Sequence, residues 1–301
     1  MMGKTLTKRE ELTHTLMLIL CAVIWGSAFV AQSIGAEFVG PFTFLALRNW
    51  VAMIFLLPVI LLRDRVIAMK GGISDAPANR YQWKMLVLGG MSCGTFLFLA
   101  SVSQQAGISL TTTAKAGFIT AQYVVIVPLI SVFFGKKVRS GIWLCVALSV
   151  TGLYLLCMNG PLELGTGDSL MLLCAFLFAL QIICVDHFSP MTDPVRLSFA
   201  QFFMTALLAT AGMLLFEPLS VTGLKAAAGS IVYAGVMSSG VAYTLQIVGQ
   251  QNLNPTVASL SMSLESVFSA ICGWIVLGQA LHTRELAGCG LMFAAIVLSQ
   301  L

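Results

Sequence analysis

Charge is scarce in this chain. Only 9% of its 301 residues are Asp, Glu, Lys or Arg, whereas 58% are apolar, and the mean hydropathy is +0.94. A soluble domain is usually about a quarter charged. The composition therefore excludes a cytosolic enzyme, a nucleic-acid-binding protein and a disordered chain, and it predicts a polytopic protein of the lipid bilayer.

The sequence also lacks the motifs of metal binding, disulfide frameworks and catalysis. Its eight cysteines are scattered through apolar stretches without a C-x-x-C pair, and its three histidines lie far apart. A disulfide framework or a zinc site would cluster such residues. There is no glycine-rich phosphate loop and no nucleophile–base pair. We therefore predict no enzymatic activity, no metal and no cofactor.

Long apolar stretches make up most of the chain. A membrane-spanning helix needs about 20 apolar residues, and Gly, Pro and charged clusters separate ten such stretches. They are too long and too continuously apolar for the strands of a β-barrel. We predict an all-α protein with ten transmembrane helices, called spans one to ten, at about 13–34, 41–62, 83–105, 112–134, 139–158, 168–188, 194–216, 228–250, 255–277 and 284–301.

The basic residues predict the orientation of these spans. Short cytoplasmic loops carry an excess of Lys and Arg. If the N-terminus is cytoplasmic, only Lys225 and Arg284 fall in outer loops, and an even number of spans returns the C-terminus to the cytoplasm. The cytoplasmic side then collects Lys4, Lys8, Arg9, Arg63, Arg65, Lys70, Arg80, Lys84, Lys136, Lys137, Arg139 and Arg196.

The two halves of the chain resemble each other. At an offset of 153, Pro41 at the start of span two matches Pro194 at the start of span seven. At an offset of 143, Gln122 matches Glu265. Each half has five spans, so the second half must enter the membrane from the opposite side. This predicts a cytoplasmic segment (1–12), a first five-helix repeat (13–158), an outer linker (159–167) and an inverted second repeat (168–301).

Four stretches of the chain carry a family likeness: Ile24-Trp25-Gly26-Ser27, Leu47-Arg48-Asn49, Ala114-Lys115-Ala116-Gly117 and Ser261-Met262-Ser263-Leu264-Glu265. They resemble the drug/metabolite transporter superfamily, and within it the EamA-type permeases. The resemblance implies two inverted five-helix repeats, a central cavity, and carriage of small metabolites without ATP. The family usually has proline after the glutamate of span nine, where this chain has Ser266.

Three ionisable residues fall within the spans, where a charge is costly and therefore a functional candidate. Glu265 is the deepest, and we predict that it is a cavity residue and the proton-coupling group; a structural, hydrogen-bonded acid is the alternative. Arg48 could bind a substrate carboxylate, or it could pair structurally with Glu265 or donate to carbonyls. Lys115 either lines the cavity or snorkels to the surface. It shares a helix face with Gln122, a further cavity candidate.

Uncharged residues complete the predicted site. Tyr243 and Gln246 share one face of span eight, Gln181 is isolated in span six, and Trp25 lies too deep in span one for an interfacial belt. We name all four as cavity candidates, with packing as the alternative for Trp25. Pro128, read as the one proline well inside a span, is a hinge candidate because it removes a backbone hydrogen bond.

These observations predict a secondary active transporter in the plasma (inner) membrane that exports small polar metabolites, such as amino acids, by alternating access, with proton coupling. A multidrug or organic-cation exporter is the alternative within this class. A non-transporting sensor or assembly subunit is the alternative outside it, although an inverted repeat has no obvious use there. The expected partners are a small-molecule substrate and the bilayer, with no nucleic acid; a homo-oligomer is left open.

Overall fold

The computed structural model describes residues 7–69, 77, 79–108, 110, 113–135, 138–158, 165–277 and 282–299, and these form helices and turns without a strand. The first repeat contains α1 (Lys8–Ala36), α2 (Pro41–Met69), α3 (Arg80–Ile108), α4 (Thr113–Thr120), α5 (Tyr123–Phe133) and α6 (Ser140–Cys157). The second contains α7 (Thr166–Phe188), a 3-10 turn (Ser189–Met191), α8 (Pro194–Phe216), α9 (Val221–Tyr233), a π-helix (Ala234–Tyr243), α10 (Thr244–Gln250), α11 (Pro255–Met262), α12 (Glu265–Leu277) and α13 (Thr283–Ser299).

Ten spans account for these helices. Span four is α4 with α5, span eight is α9 with the π-helix and α10, and span nine is α11 with α12. Among the described residues, six helical segments are long and apolar enough to cross a membrane, and two shorter apolar helices, at Gly117–Phe133 and Ser140–Leu156, lie in spans four and five. The fold is that of a polytopic helical membrane protein, as predicted.

Capping residues set the starts of two helices. Asp193 precedes Pro194 at the start of α8, and its side chain accepts a hydrogen bond from Arg196 N. Asn254 precedes Pro255 at the start of α11 and accepts from the backbone of the second helical residue. Proline suits the first helical turn because its missing N–H would have no partner there. The sequence therefore predicts both starts to the residue.

One proline prediction was wrong. Helix α2 continues to Met69, beyond the predicted end of span two, so Pro58 also lies well inside a helix. Pro128 is buried inside α5. It is therefore not the one proline within a span, although its role as a hinge stays a prediction.

The helix contacts follow the repeat. Helix α3 packs along α7, and its equivalent contact joins span eight to α1. Likewise α1 packs on α12, and α7 packs on α4 and α5. Helix α2 packs on α8 and α6 on α13, and in each of these pairs the partners hold the same place in their repeats. This paired pattern is what a pseudo-two-fold axis produces.

Glycines allow the closest of these contacts. A Cβ atom on Gly288 would lie 2.6 Å from the Gly152 carbonyl oxygen, and a Cβ on Gly152 would lie 2.6 Å from the Gly288 carbonyl oxygen. Helices α6 and α13 therefore touch backbone to backbone. Small residues at such crossings are how helices pack tightly in membranes, where hydrophobic burial provides little drive.

Two equivalent contacts join α2 and α8 at opposite ends. At one end the Glu217 carboxylate accepts hydrogen bonds from Thr43 N (2.8 Å) and Thr43 Oγ1 (2.6 Å), and from Phe42 N (2.8 Å). At the other end the Asp64 carboxylate accepts from Arg196 Nη2 (2.6 Å). The same offset of 153 relates Thr43 to Arg196 and Asp64 to Glu217. Each acid thus holds the first turn of the partner helix.

Among the described residues, ion pairs occur at one of these ends and not at the other. Arg63 forms an ion pair with Asp193, which also lies near Arg196. Together with Asp64, these residues form an ion-pair network. The opposite end instead uses backbone amides at the start of α2, where the helix dipole favours an anion such as Glu217.

Candidate functional site

Spans four and nine are both interrupted near their middle. Helix α4 ends at Thr120 and α5 begins at Tyr123; α11 ends at Met262 and α12 begins at Glu265. The two interruptions are repeat equivalents, since Gln122 matches Glu265 at the offset of 143. In transporters, half-helix ends of this kind build polar sites near the bilayer midplane, because they expose backbone groups away from lipid.

A hydrogen bond joins the two interruptions. Tyr123 Oη donates to Glu265 Oε1 at 3.2 Å, and Glu265 is only 7% exposed. The glutamate is the first residue of α12, so its side chain leaves the helix at the break. Glu265 is thereby held between the repeats by a residue of the opposite repeat.

A cavity lies beside this hydrogen bond. Its volume is about 40 Å³. The cavity is therefore narrow in this conformation. Both repeats contribute to its wall, which consists of Trp25, Phe29, Gln32, Arg48, Gln104, Tyr123, Phe178, Gln181, Ile182, Ser238, Tyr243, Gln246, Met262 and Glu265.

Arg48 is the basic residue among the described residues that line the cavity. It is 4% exposed; its Nε donates to Ser239 Oγ at 3.1 Å, and its Nη1 donates to Gln32 Oε1 at 3.3 Å. A guanidinium carries five N–H donors, so these two bonds position the group without using all of them. Ser239 belongs to the π-helix, a rare form that is common at functional sites.

Arg48 and Glu265 do not neutralise each other. Within the described ranges, the ion pairs occur at the end of α2 and the start of α8 and do not include Arg48 or Glu265. Tyr243 lines the same cavity as both residues. The suggested structural pairing of Arg48 with Glu265 is therefore absent here, and each charge has neutral hydrogen-bonding partners.

Two aromatic rings, of Trp25 and Tyr243, line part of the cavity. The Trp25 and Tyr243 rings have centroids 4.7 Å apart, and Phe202 packs edge-on against Tyr243 at 5.9 Å. The Trp25 indole also donates to the Ser238 carbonyl oxygen at 3.4 Å. Trp25 thus packs against span eight and lines the cavity at once, so the two interpretations of this residue are compatible.

Buried glutamines form a further wall. Gln246 Nε2 donates to Gln181 Oε1 at 3.1 Å, and Gln181 Nε2 donates to Gln201 Oε1 at 3.4 Å. All three side chains are at most 1% exposed. Gln246 and Gln181 face the cavity, whereas Gln201 lies behind them on α8.

The structure brings together most of the predicted residues. Glu265, Arg48, Trp25, Tyr243, Gln246 and Gln181 all line this cavity. Gln122 does not: it lies at the break, and its amide donates to the Phe118 carbonyl oxygen at 3.1 Å. The Lys115 side chain lies outside the described residues. Pro128 is about one and a half turns beyond the break at Gln122.

Sequence reasoning missed other lining residues. Tyr123 directly follows Gln122, and a continuous helix would place the two about 100° apart. Only the break turns Tyr123 towards Glu265. Gln32 and Gln104 carried a simpler signal, since each is an amide within an apolar span and polar groups inside a membrane tend to face the protein interior.

The described residues offer no obvious metal site, since no three His, Cys, Asp or Glu side chains among them cluster.

Comparison with known proteins identifies the family. The model of the EamA-like transporter family matches residues 12–158 and again residues 165–301. The chain belongs to the EamA-like transporter family. It is a membrane transporter of the drug/metabolite transporter superfamily, and the double match coincides with its two five-helix halves.

Individual relatives agree with this assignment. An uncharacterized transporter of Archaeoglobus fulgidus is 30% identical over 297 residues, which cover 97% of this chain and 87% of the relative. The uncharacterized transporter YwfM of Bacillus subtilis is 22% identical over 290 residues, or 95% of this chain and 93% of the relative. A crystal structure with 19% identity has the same fold, with a TM-score of 0.75 and coverage of 95% and 96%.

Proposed function

We propose that this EamA-family protein is a secondary active transporter that exports small polar metabolites, amino acids or related compounds, across the plasma membrane by alternating access. Both termini are cytoplasmic in this proposal, in accordance with the distribution of basic residues. Glu265 couples transport to protons. Arg48, Gln181, Gln246, Tyr243 and Trp25 form the substrate cavity.

The observation that carries the proposal is one cavity with two opposite charges that are not paired with each other. Arg48 keeps N–H donors beyond those bonded to Ser239 and Gln32, and guanidinium groups suit planar carboxylates. Glu265 accepts one hydrogen bond, from Tyr123, and can accept more. A small zwitterion offers a carboxylate to the first group and an ammonium to the second.

The position of Glu265 supports its role in coupling. It is an acid at a helix break between the repeats, and such sites near the midplane hold coupling ions in several transporter folds. The hydrogen bond from Tyr123 to Glu265 joins the two repeats. When the repeats tilt against each other, this bond forms in one conformation and breaks in the other. Proton binding to Glu265 can then differ between the two conformations, which is the requirement for coupling.

Transport by the purified protein in liposomes tests the proposal. Vesicles are loaded in turn with a panel of amino acids and organic cations, and a pH gradient of either sign is imposed. We expect amino acids to cross the vesicle membrane and to accumulate on one side when a pH gradient is imposed. Movement of no solute under any gradient would refute the transport mechanism proposed for this cavity.

An organic-cation exporter is the second candidate. Trp25 and Tyr243 rings border the cavity that contains Glu265, and aromatic faces attract cations. The same panel separates the candidates: movement of organic cations without amino acids would favour this one.

A further inference from the structure

Gln246 presents an acceptor to the cavity that no described residue uses. Its Nε2 donates to Gln181 Oε1 at 3.1 Å, whereas its own Oε1 is buried without a hydrogen-bond partner among the described residues. The side chain is 1% exposed and lines the cavity. Buried carbonyl oxygens are normally hydrogen-bonded, so this one is available to a donor in the cavity.

Two further glutamines form a chain of hydrogen bonds with Gln246. Gln181 Nε2 donates to Gln201 Oε1 at 3.4 Å, and Gln201 Nε2 has no hydrogen-bond partner among the described residues. The three amides therefore point the same way along the chain, and turning over Gln246 alone would set its oxygen against the Gln181 oxygen. With the amides in this orientation, the Gln246 oxygen points away from Gln181.

We propose that Gln246 Oε1 selects substrates by accepting a hydrogen bond from a substrate nitrogen, an ammonium above all, and that Gln181 and Gln201 are positioning residues for it. This inference rests on the proposed transport function of the cavity. A buried acceptor discriminates strongly against an analogue without the donor, because that analogue leaves the acceptor unpaired. Hydrogen bonds to charged groups are among the stronger ones.

The test compares amines with their des-amino analogues. The probes are L-leucine and L-phenylalanine, paired with 4-methylpentanoate and 3-phenylpropionate. Equilibrium binding to the full-length protein in liposomes gives an amine-to-analogue affinity ratio for each pair. The variants are Gln246→Leu, Gln201→Leu and, as a matched control, Gln250→Leu.

Gln250 is a close control because it differs mainly in position. It lies one turn further along α10, is 1% exposed, and also has a buried Oε1 without a partner among the described residues. Its Nε2 donates to the Ile182 carbonyl oxygen at 3.3 Å, and it does not line the cavity. Gln246→Leu and Gln250→Leu therefore each remove one buried amide, the first from the cavity wall and the second from a position outside the cavity.

We expect Gln246→Leu to lower the affinity ratio by about tenfold or more, Gln201→Leu to lower it less, and Gln250→Leu to leave it unchanged. If Gln246 had only a structural role, its replacement would weaken the binding of amines and of their analogues alike, and the affinity ratio would not change. Equal ratios in wild type and Gln246→Leu would overturn the inference while transport itself continued. If the wild type moved neither amino acid under any gradient, the proposed amino-acid transport would fail and this inference with it.

Discussion

A methyl group added to Gly288 should separate α6 from α13. The new Cβ would lie 2.6 Å from the Gly152 carbonyl oxygen and 2.8 Å from Leu156 N, whereas favourable heavy-atom contacts begin near 3.5 Å. Both atoms belong to the backbone, so no side-chain rotation relieves the contact. The helices must move apart by about 1 Å, and such overpacking costs about 1–3 kcal/mol.

Gly290 provides the control on the same helix. A Cβ there meets nothing within 4 Å, so Gly290→Ala adds the same methyl group and the same helix propensity without a collision. Thermal unfolding in one detergent, followed by tryptophan fluorescence, compares the two variants. At about 2–4 °C per kcal/mol for a protein of this size, the cost of about 1–3 kcal/mol means that Gly288→Ala should melt roughly 2–12 °C lower than Gly290→Ala.

A double variant tests the cause. Gly152→Ala should destabilise for the same reason, and combining it with Gly288→Ala should cost less than the sum of the two, because residues in contact couple. Equal melting temperatures for Gly288→Ala and Gly290→Ala would refute the reasoning, and so would full additivity of the Gly152 and Gly288 substitutions.

Four further substitutions test the cavity and the α2–α8 contacts. Glu265→Gln should fold and exchange solute but lose pH-driven accumulation; undiminished accumulation in proteoliposomes would remove Glu265 from coupling. Arg48→Gln should raise the KM for carboxylate-bearing solutes about tenfold or more, because it removes a charged donor; an unchanged KM would make Arg48 structural. Glu217→Ala should destabilise the protein by about 2 kcal/mol or more, since three hydrogen bonds to a carboxylate are lost, and this loss should persist in high salt. Asp64→Asn should matter less as salt rises, because its contact is an ion pair; melting curves at two salt concentrations check both, and identical salt responses would contradict the distinction.

Sequence patterns predicted the helices because membrane spans are governed by length and apolar composition, both local properties. Pro194 and Pro255 even marked helix starts. The interruptions of spans four and nine were not predicted, since neither has a proline or glycine at the break and Ser266 takes the place where the family usually has proline. These breaks depend on packing between the repeats, which a single stretch of sequence does not contain.

The cavity residues likewise divide into those that local sequence identifies and those that depend on tertiary packing. Glu265 and Arg48 could be identified from the sequence because an ionisable residue within an apolar span is unusual regardless of its tertiary contacts. Tyr123 was not, because its contact with Glu265 exists only through the local change of helix register at the break. Gln201 was missed for a different reason: its importance lies in which amide it bonds, and that depends on side-chain rotamers.

In the proposed alternating-access cycle, the unlike ends of the α2–α8 pair would affect the kinetics. Motion that separated the helices at one end would break Glu217 from Thr43, and motion at the other end would break Asp64 from Arg196. A duplicated protein with identical halves would cross two equal barriers. In this chain one barrier would depend on an ion pair that salt screens and the other on backbone amide hydrogen bonds that salt weakens less, so the two half-cycles would run at different speeds. Such rectification would not alter the final solute ratio, which the driving gradient determines, but it would govern how quickly each direction approaches that ratio.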